Sequence, residues 1–97
     1  METYVILRRH GFRDGDDLRA AAERSTIEGE EMSDGVRWIR SYVLAEEDGT
    51  LGTVCIYQAT SPEAVLEHAR RADLPADEVI PSPDNVIVRP DPEPVPA

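Results

Sequence analysis

The sequence predicts an α+β fold: a four-stranded antiparallel sheet with two helices on one face. Three observations carry that prediction. Stretches rich in β-branched and aromatic residues recur at 3–9, 36–45, 51–58 and 78–89. Two stretches with helical spacing separate the first strand from the second and the third from the fourth. The chain's 97 residues, 40% of them hydrophobic, suffice for one core and are too few for two.

The first strand, TYVILRR, is ended by His10 and Gly11. Asp14, Gly15 and Asp16 then offer caps, because a carboxylate there accepts from the free amides of a first helical turn. Along 17–32, Leu18, Ala21, Ala22, Ser25, Gly29 and Met32 recur at spacings of three and four. Most are small, so this helix is expected to lie close to whatever it covers. Strands 36–45 and 51–58 flank the polar hairpin loop Glu46-Glu47-Asp48-Gly49. Ser61-Pro62-Glu63 opens the second helix: serine caps, proline fits the first turn, and the acid complements the dipole. Leu74-Pro75 stops it. The last strand, 78–89, contains Pro81 and Pro83, which confines it to a sheet edge or a bulge. From Pro90 onward PDPEPVPA reads as an extended or disordered tail. The domain is therefore expected at 1–89 and the tail at 90–97.

The order β-α-β-β-α-β is the split βαβ arrangement of ferredoxin-like domains. That fold hosts many unrelated functions. The single cysteine, Cys55, cannot hold an iron–sulfur cluster or close an internal disulfide. Twenty acidic against ten basic residues give a net charge of −10, which disfavours nucleic acid and anionic membrane as partners and weakly favours cations. With no apolar leader or membrane-spanning run, the expected location is the cytoplasm. No CxxC, HExxH or Walker-type loop is present.

Strict alternation along the hairpin sorts its residues into two faces. Ile39, Ser41, Val43, Val54 and Ile56 make one mainly aliphatic; Trp38, Arg40, Tyr42, Cys55 and Tyr57 make the other. The second set is expected to line either a ligand pocket or a subunit interface, since two helices cover only one side of such a sheet. The alternative is that this aromatic side faces the helices as ordinary core.

The segments WIRSYV, VCIYQA and SPEAVLEHARRADLPADEV, in that order, resemble a family of small bacterial domains commonly labelled nickel-binding proteins. The likeness spans the first strand to the fourth and leaves out the tail. It implies a ferredoxin-like domain, a homodimer, and nickel or another divalent transition metal as the bound group. This chain has two histidines for such a site. A set of His68, His10 and Glu63 would supply nitrogen and oxygen donors, because imidazole binds nickel and zinc well. A histidine on a helix is otherwise a half-exposed polar residue or a core residue bonded to a backbone carbonyl. A Cys55–His68 nucleophile pair would lack both an oxyanion hole and an orienting third group.

Three functions follow from these residues. The first is a small metal-binding protein. The second is a small-molecule binder, or a pathway enzyme of the cyclase or isomerase type, using the pocket between sheet and helices. The third is a dimeric interaction module without chemistry.

Overall fold

The computed structural model describes residues 1–92. Its elements run β1 (Glu2–Phe12), α1 (Gly15–Glu31), β2 (Val36–Ala45), β3 (Leu51–Ala59), α2 (Pro62–Arg71) and β4 (Glu78–Ser82). The strands form one sheet in the order β2-β3-β1-β4, every neighbouring pair antiparallel. This is the expected ferredoxin-like fold.

Period-two burial defines the sheet's helix-covered face. Tyr4, Ile6 and Arg8 of β1 are buried, as are Thr53, Cys55, Tyr57 and Ala59 of β3. Val36 and, from α2, Val65 complete a contiguous core with Tyr4, Ile6, Cys55, Tyr57 and Ala59. Burying such side chains is the main favourable term in folding, worth about 1.5–3 kcal/mol for each large one. Both helices start on the predicted caps. The Asp14 carboxylate accepts from the Asp17 amide at 2.9 Å, and the Ser61 hydroxyl from the Ala64 amide at 3.1 Å.

Two boundaries and one register differ from expectation. β1 does not stop at His10. It runs to Phe12 through a bulge, with register lost after Arg8↔Thr53 and regained at Phe12↔Leu51. Opposite that bulge, a Cβ on Gly52 would lie 2.7 Å from the Arg8 carbonyl oxygen, so only glycine fits. His10 takes a left-handed φ of 52° there. Glu46 holds the bulge: its carboxylate accepts from Arg9 Nε and Nη2 and from the His10 amide at 2.9–3.2 Å. β4, in turn, ends at Ser82 rather than Arg89. Pro83 has no amide hydrogen to continue the ladder with β1.

The third difference lies in β2. Trp38 pairs with Tyr57, but Arg40 pairs with Ile56, so Ile39 is an extra residue in the strand. A bulge of this kind reverses the facing of every later residue.

Residues 83–92 leave the β4 edge as irregular chain. The Asp91 carboxylate accepts from Arg40 Nη1 at 2.9 Å and from the Tyr42 hydroxyl at 2.7 Å, at the opposite edge strand. The segment thereby spans the sheet's second face, over a cleft of about 1000 Å³ lined by Val5, Ile39, Ile56 and Gln58. The predicted tail begins within this segment, and its part from 93 to 97 lies outside the described residues. Among the described residues no helix is long and apolar enough to cross a membrane.

Candidate ligand cavity

The helix-covered face is not filled evenly. Under α2 it is packed. Under the N-terminal two-thirds of α1 a cavity of about 280 Å³ remains, between Leu18, Ala22 and Ser25 of the helix and Arg8, Trp38 and Tyr57 of the sheet. The cause is in the sequence. Alanines stand where α1 meets the sheet, and only Ala21 and Ser25 of this helix are fully buried.

One wall is an aromatic shelf. The Trp38 and Tyr57 rings lie 6.3 Å apart and within 11° of parallel. A chain of weak donors runs beside them. Trp38 Nε1 donates to Ser41 Oγ at 2.8 Å, Ser41 Oγ to Cys55 Sγ at 3.0 Å, and Cys55 Sγ to Thr53 Oγ1 at 3.3 Å. These polar groups satisfy one another, which leaves the wall chemically quiet.

Arg8 is the exception. It is 1% exposed, lines the cavity, and places its guanidinium carbon 5.8 Å from the Tyr57 ring centroid. Its Nε and Nη2 are buried with no hydrogen-bond partner. The strand's own alternation put it there, since Tyr4, Ile6 and Arg8 share a face.

Behind the cavity lies His68, 0% exposed. Its Nε2 is 3.0 Å from the Ser25 carbonyl, which can only accept, so Nε2 carries the proton. Desolvation by burial pushes its pKa below the usual histidine range; the Ser25 hydrogen bond opposes this and the nearby Arg8 charge adds to it. The ring is therefore neutral, and its bare Nδ1 has no partner. Ser25 Oγ in turn bonds the Tyr57 hydroxyl at 3.1 Å. Burial also pushes the Tyr57 hydroxyl's pKa up.

The sequence-predicted residues divide accordingly. Trp38, Cys55 and Tyr57 do share the cavity wall. Arg40 and Tyr42 do not: the Ile39 bulge turns them to the opposite face, where they meet Asp91. The two faces expected from strict alternation are thus exchanged beyond Trp38. Among the ligand candidates, His10 lies between Glu46 and Asp48 at 3.2 and 3.0 Å, at the hairpin end of the sheet. The Asp48 carboxyl is held down to about 2, chiefly by hydrogen bonds from the Thr50 hydroxyl and amide and less by His10. His68 shares no partner with His10, and Glu63 sits exposed in the first turn of α2. Among the described residues, no three His, Cys, Asp or Glu side chains form a group able to hold a metal ion. A nickel ion does not fit the donors as one chain arranges them, because the Glu46 carboxylate is taken by Arg9, and the bare Nδ1 of His68 is buried with no second and third donor grouped beside it among the described residues.

Residues 4–81 match the family described as "Nickel responsive protein SCO4226-like". The chain belongs to that family. Its fold agrees with a member of known structure, SCO4226 from Streptomyces coelicolor A3(2), at a TM-score of 0.64. That match covers 87% of this chain and 99% of the other, at 22% identity. At this identity the SCO4226-like likeness in structure speaks for the fold alone. No curated protein matches the chain significantly.

Proposed function

We propose that this member of the SCO4226-like family is a binding module for a small organic molecule, held between α1 and the sheet. The observation that carries this reading is the cavity itself, apolar, aromatic on one wall, and roofed by a helix anchored through few buried side chains. Ligand sites concentrate in such concave, mostly apolar places with a few polar groups. Cys55 is held between Ser41 and Thr53, and His68 is buried behind the wall and does not line the cavity, so the site is read as a receptor rather than a nucleophilic centre. NMR titration with a set of small aromatic and aliphatic compounds tests it. Binders should shift the amides of 18–25 and 53–57 and raise Tm by mass action. Shifts confined to the second face would overturn it.

A second reading is favoured by the family's name: nickel binding. One chain lacks a ligand trio, so this reading requires a second copy to complete the shell, with the half-exposed His10 as the available imidazole. Calorimetry with Ni²⁺ decides it. His10→Ala should remove binding and His68→Ala should not, since His68 is sealed behind Ser25. Neither variant nor wild type releasing heat would sink the reading.

A homodimer belongs to both readings. The second face exposes Ile39 and Tyr42 on β2, and the segment across it exposes Val86, Ile87 and Val88. Light scattering should return about twice 10.8 kDa at micromolar concentration.

A further inference from the structure

The unpartnered Arg8 in the cavity goes further than the cavity alone. Resting on the small-molecule reading above, we infer that the ligand is a monoanion: a small carboxylic acid with a flat apolar body, its carboxylate bound by Arg8.

The argument begins with charge. A guanidinium is a cation, and a buried cation without a counter-charge is among the most costly arrangements a protein holds. In a chain with twenty acidic residues, a carboxylate could readily have been placed beside it. None was. Among the described residues, Arg8 is the only charged side chain lining the cavity, and no Asp or Glu lines it. The nearest comparison is the next residue: Arg9 is met by both oxygens of Glu46. Successive arginines on one strand thus point to opposite faces, one paired from within the chain and the other buried in the cavity wall with two nitrogens unpaired.

The geometry of the vacancy selects the anion. Nε and Nη2, the two buried atoms lacking partners among the described residues, form the side-on edge of the guanidinium, and an entering ligand must part the wall to reach them. Two parallel N–H donors on that edge match the two oxygens of a carboxylate. One guanidinium balances one charge, which favours a monoanion over a phosphate ester. The rest of the lining sets the body of the ligand. Phe12, Leu18, Val43 and Leu74 are apolar, and the parallel Trp38 and Tyr57 rings present a flat surface. The cavity of about 280 Å³ lies at the small end of ligand pockets.

The chain's only tryptophan lines the cavity, so its fluorescence reports occupancy directly. The probes are 3-phenylpropionate, the uncharged 3-phenylpropionamide, and phenyl phosphate, titrated into the full-length protein. We expect the acid to bind at least about tenfold tighter than the amide and tighter than the phosphate, as a charge-assisted bidentate pair requires. Arg8→Met keeps the length of the side chain and removes a buried charge; it should bind acid and amide alike. Ala22→Leu fills the cavity while keeping Arg8, and should bind neither. Equal binding of acid and amide by the wild type would overturn the monoanion and leave the cavity reading standing. Tighter binding of phenyl phosphate would replace the carboxylate by a dianion. A wild type whose Trp38 emission responds to none of the three overturns both the inference and the reading beneath it.

Discussion

The two helices cover the same face of the same sheet and do so in opposite ways. α2 is 10 residues long and buries Val65, His68 and Ala69; α1 is 17 residues long and buries Ala21 and Ser25. α2 ends on His68, Arg70 and Arg71, which suit the negative end of its dipole. α1 ends without a basic residue and carries Glu28, Glu30 and Glu31 in its last turn. One of its ties to the rest of the chain is Arg24, whose Nε donates to the Ala72 carbonyl at 2.8 Å. The shorter helix is therefore the one packed through the larger buried side chains, and the longer one spans a cavity. Binding sites need a wall that can yield, and such walls come from the less stable end of a structure.

The largest expected effect tests the anchoring side. Val65→Asp would place an unpaired carboxylate in the core beside Tyr4 and Ile6, and should cost more than about 4 kcal/mol, enough to unfold most of the protein. Urea titration by circular dichroism reads it. Next comes a matched pair of enlargements. Ala69→Leu should destabilise by about 1–3 kcal/mol, because α2 has no space for three more carbons. Ala22→Leu, facing the cavity, should stay within about 0.5 kcal/mol of wild type or stabilise. Equal losses for the two would erase the distinction between the helices.

The pH dependence sharpens the same point. Because the folded pKa of His68 is depressed, the unfolded chain binds the extra proton as pH falls below about 6.5. Its stabilising contribution is present above that pH and is lost as pH falls toward the folded value. Stability should decline by at most about 1.4 kcal/mol per pH unit in that window. His68→Gln should flatten the slope there while leaving the carboxylate-driven loss at lower pH. An unchanged slope would show that His68 is not held neutral. The smallest effect concerns helix ends. Glu31→Lys should stabilise α1 by about 0.3–1 kcal/mol, and Arg71→Glu should cost α2 about the same, both shrinking in high salt.

Much of the fold was legible beforehand because its signals are local. The caps Asp14 and Ser61, the helical stripe from Leu18 to Met32 and the prolines near β4 each act within a few residues. The stripe's small residues were expected to bring α1 close to the sheet; instead they leave a cavity beneath its first two-thirds. The candidate site was legible in part. Trp38, Cys55 and Tyr57 were placed together because they flank no interruption, while Arg40 and Tyr42 were misplaced by a single inserted residue. Nothing in Trp-Ile-Arg marks that bulge, since neither glycine nor proline occurs there. Arg8 carried a signal that composition concealed. Counted among scattered arginines it looks like surface; read at period two with Tyr4 and Ile6, it falls on the buried face.

The sequence by itself determined the element order, the helix caps, the sign of the surface charge and the small contact stripe of α1. Each depends on backbone preference or on neighbours three or four residues away. The tertiary structure decided three things. It reversed the facing of β2 beyond Trp38, because a bulge forms where two strands must match hydrogen bonds and twist together. It sealed His68 against the Ser25 carbonyl, 43 residues away along the chain, and so settled a histidine that helical spacing left open. And it left Arg8 without an acceptor, because a charge's partners are set by which carboxylates the completed fold brings within hydrogen-bond reach, and here Glu46 went to Arg9 on the far side of the strand.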